Sequence, residues 1–159
     1  MTLTVRPARP DDTPVVLNFI RELADYERML DMVKITLANV DTMLFCANPR
    51  AFCEIADVND EAVGFALWFY SVSTFEGHHG IYLEDLYVRP AARGIGAGKA
   101  LLATLARRCR DEGLARLEWA VLDWNTAAIG FYDSLGAISK TDWITRKLTG
   151  APLAALADA

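Results

Sequence analysis

Leu86-Tyr87-Val88-Arg89-Pro90-Ala91-Ala92-Arg93-Gly94-Ile95-Gly96-Ala97-Gly98-Lys99 is the stretch on which the fold turns. An apolar run ends at Arg89-Pro90, three glycines alternate, and Leu101, Leu102, Leu105 and Cys109 then recur on one helical stripe that stops at Gly113. The pattern predicts a strand, a tight loop and a helix. Glycines let backbone approach a ligand, and the unpaired N–H groups of a helix's first turn make an anion site, for which phosphate is the obvious guest. A P-loop would need Gly in place of Arg93 and Ser or Thr in place of Ala100. A dinucleotide fingerprint would put its third glycine at Lys99 or Leu101, and it lacks the acidic residue about twenty positions further on. A plain Gly-rich turn is the other reading.

Working upstream, Ile81 to Val88 reads as a strand, and Ala62 to Ser73 as a nearly all-apolar one, as expected of a central strand covered on both faces. Phe52 to Val58 precedes it, joined by the hairpin signal Asn59-Asp60. Thr4 to Arg6 is a short first strand. A helix capped by Asp11 or Asp12 carries Val16, Phe19, Ile20 and Leu23 at helical spacing to about Tyr26, and a weaker one spans Thr36 to Phe45. Downstream, Leu117 to Leu122 is a strand and Thr126 to Leu135 a short helix stopped by Gly136. Residues 137–140 and 143–148 are expected as a closing pair of strands. The whole predicts an α/β (α+β) fold with a mixed central sheet of six to seven strands and helices on both faces. A single domain over residues 1–159 is expected, with its core at about 3–149 and a short tail at 150–159.

Composition narrows the class. The chain is 53% hydrophobic and 23% charged, with a mean hydropathy of +0.17, which belongs to a packed protein rather than a disordered one. The longest apolar stretch, Ala62 to Tyr70, is far short of the roughly 18 residues of a membrane span. The N-terminus shows no export signal, and three cysteines without C-x-x-C spacing read as reduced thiols, so a cytoplasmic protein without membrane partners is expected. The net charge of −5 argues against nucleic acid. Asp11 to Asp60 holds ten acidic and four basic residues, whereas Arg89 to Arg116 holds seven basic and two acidic. That split is either two ligand sites of opposite sign or solvated charge scattered by chance. His78-His79, with no carboxylate at ligand spacing, is read as a solvated loop, and no metal is expected.

Tyr82-Leu83-Glu84-Asp85-Leu86 sets two carboxylates in an apolar strand, where an unpaired charge is costly. Adjacent strand residues face opposite sides, so at most one of them faces a given ligand unless a bulge intervenes. Glu84 is the candidate for receiving an ammonium or, through water, removing its proton. Asp85 reads as a cap or as the partner of a nearby arginine.

Arg93-x-x-Gly96-x-Gly98 resembles the R/Q-x-x-G-x-G/A signature of the GNAT N-acetyltransferases. The resemblance implies acetyl-CoA as cosubstrate, with its pantetheine against Leu86, Tyr87 and Val88 and its pyrophosphate on Gly94, Ile95, Gly96, Ala97, Gly98 and Lys99 beside Arg93. Leu117-Glu118-Trp119 through Trp124-Asn125, followed by a helix carrying Phe131-Tyr132 before Leu135-Gly136-Ala137, is similar to the later GNAT region. This implies Asn125, Ala128 and Tyr132 on the coenzyme side. Tyr132 lies two helical turns beyond Asn125, and a phenol there could protonate the departing thiolate; mere packing under the sheet is its alternative.

Glu22-Leu23-Ala24-Asp25-Tyr26-Glu27 and Tyr82-Leu83-Glu84-Asp85 are similar to the diamine (spermidine/spermine) acetyltransferase branch. That implies Tyr26, Glu27 and Glu84 at a small cationic amine, Glu118, Trp119 and Ala120 along its channel, direct transfer in a ternary complex, and a homodimer. Trp124-Asn125-Thr126-Ala127 departs from the branch's W-N-E-P. The branch also includes enzymes acting on thialysine and related aminoalkyl amino acids, which stand as alternative acceptors. A non-catalytic acyl-CoA sensor and an acetyltransferase of protein amines are the remaining alternatives.

Overall fold

Alternation along the middle strands decides which side of the sheet each residue covers. In the computed structural model, which describes residues 1–159, the elements are β1 (Leu3–Pro7), α1 (Thr13–Tyr26), α2 (Leu37–Phe45), β2 (Phe52–Val58), β3 (Glu61–Ser73), β4 (His78–Val88), α3 (Ala97–Glu112), β5 (Leu117–Trp119), α4 (Thr126–Ser134) and α5 (Gly150–Ala157). They fall into two compact units, Met1–Leu122 and Asp123–Ala159. No helix is long and apolar enough to cross a membrane.

The first unit is a five-stranded sheet in chain order, antiparallel from β1 to β4 and parallel between β4 and β5. Cys53, Ile55, Phe65, Leu67 and Tyr87 form one buried face with Val16, Leu17 and Phe19 of α1 and Val40 and Leu44 of α2. Phe19 stacks on Phe65 with ring centroids 5.4 Å apart. Ala66 and Trp68 alternate to the opposite face, where Arg108 of α3 lies 5.0 Å over the Trp68 ring, and α3 buries Leu101, Leu102 and Leu105. Helices therefore cover both faces. Asn59 and Asp60 turn the β2–β3 hairpin with φ of 50° and 66°, the twist that matches the strands they join.

Three expectations are corrected. The sheet has five strands, not six or seven, because residues 137–140 and 143–148 form none. A strand is held by its neighbour, and this segment has no ladder; Ile138, Trp143 and Ile144 stand 88%, 73% and 83% exposed. β5 ends at Trp119 rather than Leu122, since Trp119 pairs with Leu83, the last β4 residue before a bulge. Asp12 stands at the N-cap of α1 but makes no side-chain cap bond. Its carboxylate takes both Arg6 Nη atoms, at 2.7 and 3.1 Å, and the Arg9 N–H, while Arg6 Nε holds Asp57 at 2.7 Å. In the second unit, α4 precedes the extended segment, and the expected tail at 150–159 is largely helix α5.

Candidate active site

β4 outruns its parallel neighbour. Pairing with β5 stops at Leu83, yet β4 continues to Val88, so its last residues have a partner only on the β3 side. Arg89 N–H donates to Val63 O at 2.9 Å. Backbone groups alternate between edges along a strand, so those of Leu86 and Val88 point to the open side. There Val88 O accepts from Arg93 Nε at 3.0 Å.

A bulge falls at the two carboxylates, at the start of this open stretch. Leu83 stands opposite Trp68 and Asp85 opposite Leu67, leaving Glu84 as the extra residue. Asp85 shares the α1 face with Leu67, Tyr87 and Tyr82. Glu84 lies close enough to raise the pKa values of both Asp85 and Tyr82. Glu84 is exposed and Asp85 half-buried, side by side at the start of the open stretch. Burial, then Glu84, then Glu27 push the Asp85 carboxyl up to about 7. Burial also raises Glu27, the residue that ends α1. No ion pair joins Asp85 to an arginine, contrary to the pairing expected for it. The bulge has no mark in the sequence beyond two adjacent acids in an apolar strand.

At the far end of β4 the chain turns through Pro90–Ala92 into the glycine loop. Gly94 and Gly96 have φ of 80° and 92°, in the region that favours glycine, and no atom lies within 4 Å of where a Cβ would sit on either. Gly96 is the N-cap of the 16-residue α3 and has no side chain to offer. The first helical bond runs from Ala100 N–H to Gly96 O, so the amides of Ala97, Gly98 and Lys99 point out of the helix end. An open helix end lined by amides, with Arg93 and Lys99 beside it, suits a diphosphate. Beside it, the open β4 edge can pair with the amides of an extended arm, so the residues present fit a coenzyme A thioester.

On the acceptor side, Tyr26 is 37% exposed and its ring lies 4.9 Å from the Arg93 guanidinium carbon, a contact with no signature in the sequence. Glu118 is ion-paired with Arg116 and sits opposite Tyr82 across the β4–β5 pair, next to Trp119, with Ala120 just beyond the strand. Asn125, Ala128 and Tyr132 belong to the second unit. Asn125 caps α4, its Oδ1 accepting from Ala128 N–H at 3.2 Å. The Asn125 oxygen therefore serves the helix rather than standing free for a ligand. The half-buried Tyr132 packs against Phe131, ring centroids 5.4 Å apart, near the C-terminal end of α4.

A mixed sheet whose fourth strand is unpaired on one edge and flows through a glycine loop into a helix fits an acyl-CoA-dependent transferase. The model of the acetyltransferase (GNAT) family matches residues 20–137, and the chain belongs to that family. It is 36% identical over 152 residues to the thialysine N-epsilon-acetyltransferase of Caenorhabditis elegans, covering 94% of this chain and 93% of that one. It is also 36% identical over 141 residues to the human spermidine/spermine N(1)-acetyltransferase-like protein 1, covering 84% of this chain but 20% of the human protein. An integron cassette protein of Vibrio cholerae shares the fold, with a TM-score of 0.81 at 24% identity over 100% of this chain and 99% of that one. The protein is thus an N-acetyltransferase, and acetyl-CoA is its family's acyl donor.

Proposed function

We propose that the enzyme acetylates a primary amine of a small cationic acceptor, a diamine or polyamine, by direct attack in a ternary complex. The observation that carries this reading is the pair of adjacent carboxylates, Glu84 and Asp85, at a bulge where β4 leaves its pairing with β5. Acetyl-CoA supplies a thioester whose carbonyl carbon bonds to the amine as a thiolate leaves. Leu86, Tyr87 and Val88 align its arm, and the amides from Gly94 to Lys99, with Arg93 at their head, hold its pyrophosphate. Asn125 and Ala128 lie along the coenzyme by family resemblance. Tyr26, Glu27 and Glu84 receive the cation, Glu118, Trp119 and Ala120 line its approach, and Glu84 or a water takes the proton that an ammonium must lose before attack. Tyr132 gives a proton to the departing thiolate.

The resemblance also supports a homodimer, and three free cysteines support a cytoplasmic setting. A second acceptor class, aminoalkyl amino acids of the thialysine type, is favoured by the C. elegans relative, which matches along nearly its full length. A thiol-release assay over spermidine, spermine, thialysine, ornithine and a basic peptide tests the reading. Turnover on a small dication with none on the peptide is expected. Binding of acetyl-CoA with turnover on no amine would replace the enzyme with a sensor.

A further inference from the structure

Two arginines leave the end of β4 and both meet α1, in different ways. Arg89 is an anchor. Its Nε and Nη2 hold the Glu22 carboxylate at distances down to 2.9 Å, Nη1 donates to Ala62 O at 3.1 Å, and the guanidinium lies 4.8 Å over the Phe19 ring. Arg93, four residues on, is exposed, and its side chain donates a hydrogen bond from Nε to Val88 O at 3.0 Å. The rest of its guanidinium lies between two rings, 4.9 Å from the centroid of Tyr26 and 5.9 Å from that of Tyr87. It therefore touches three places together: the last residue of α1, the buried face of β4 and the open β4 edge. Its own backbone leads directly into Gly94, whose positive φ begins the loop.

We propose that the Arg93 side chain is a positioning residue that ties Tyr26 and Glu27, at the end of α1, to the glycine loop, and so sets amine affinity without touching either reacting group. This rests on the reading that Tyr26 and Glu27 receive the amine. The physical basis is local. Tyr26 is exposed at the last turn of its helix, whose backbone is closed by Glu27 N–H on Leu23 O and Met29 N–H on Ala24 O before the chain leaves through Arg28 at a φ of 61°. A guanidinium over the Tyr26 ring and bonded to the β4 edge links the position of that ring to the loop. A shift of the Gly94–Gly96 turn around an anion is carried to Tyr26 by the same side chain, and by reciprocity an occupied acceptor site favours the loop's binding geometry.

The test is a double-mutant cycle in steady-state kinetics, with spermidine and thialysine as probe amines and thermal melts on each variant. Arg93→Met is expected to raise the KM of the amine about two- to fivefold, the size of an exposed cation–ring contact, with a smaller rise for Arg93→Lys, which keeps the charge over the ring. Tyr26→Leu is expected to raise it at least as much. The double variant should then be no worse for the amine than Tyr26→Leu alone, because Arg93 acts through that ring. A purely structural role would lower melting temperature and spread over all constants without this non-additivity. Strictly additive effects on the KM of the amine would overturn the proposal. So would an unchanged value in Arg93→Met while Tyr26→Leu raises it, and Arg93→Lys carries the same comparison should Arg93→Met not fold. An unchanged KM in Tyr26→Leu, or turnover of neither probe by the wild-type enzyme, would instead remove the acceptor reading and the inference with it.

Discussion

Asp85→Asn should make the protein more stable at neutral and higher pH while leaving its stability near pH 4 unaltered. The Asp85 carboxyl is half-buried on the α1 face, with Glu84 beside it on β4 and Glu27 across on α1, and its pKa stands near 7 in the folded chain. In the unfolded chain an aspartate titrates at about 3.9. Between those values the folded protein keeps a proton that the unfolded chain has lost, so stability falls as pH rises, by about 1.4 kcal/mol per pH unit. Over about three units the upper bound is about 4 kcal/mol, and relaxation around the charged carboxylate reduces it to about 2–4 kcal/mol. The contribution is whole below about pH 4 and gone above about pH 7. Asparagine keeps the shape of the neutral acid and does not titrate. Urea unfolding of both proteins at about pH 4, 6 and 8 should give curves that coincide at the acid end and separate progressively, the variant being more stable. A variant that is parallel to wild type at every pH, or less stable at about pH 8, would refute the reasoning and show that the ionised carboxylate is favourably held.

Three further outcomes follow from the site. Gly96→Ala meets no atom but must adopt a φ of 92°, so it should cost about 1–2 kcal/mol in denaturant unfolding and weaken coenzyme binding, with Gly96→Asn losing less. Tyr132→Phe should lower kcat about 100-fold or more while the KM for acetyl-CoA stays within about twofold; an unaffected rate removes the phenol from the chemistry. Glu84→Gln should raise the KM for the amine about tenfold and leave that for acetyl-CoA unchanged in two-substrate kinetics.

The strand, glycine loop and helix that would carry the donor were legible because they are written in local spacing. Three alternating glycines between an apolar strand and an amphipathic helix predict a tight loop, and Gly94 and Gly96 adopt positive φ there. Helices and central strands were legible for the same reason, since Phe52–Val58 and the stripe of Leu101, Leu102 and Leu105 follow simple periods. The acceptor side was read less completely. Glu84 and Asp85 read as alternating residues of a regular strand, and the bulge that interrupts the alternation is set by register with β3. The hold of Arg93 on Tyr26 joins residues far apart in the chain. Residues 137–149 show the limit from the other direction, because strand-like composition forms no strand without a ladder to join.

Equilibrium dialysis of labelled acetyl-CoA against the wild-type chain and Gly96→Ala tests most directly whether the loop after β4 grips the donor. Saturable retention that unlabelled coenzyme A displaces, and that Gly96→Ala weakens, is expected. Absence of saturable retention by the wild-type chain, or retention that coenzyme A cannot displace, would contradict it.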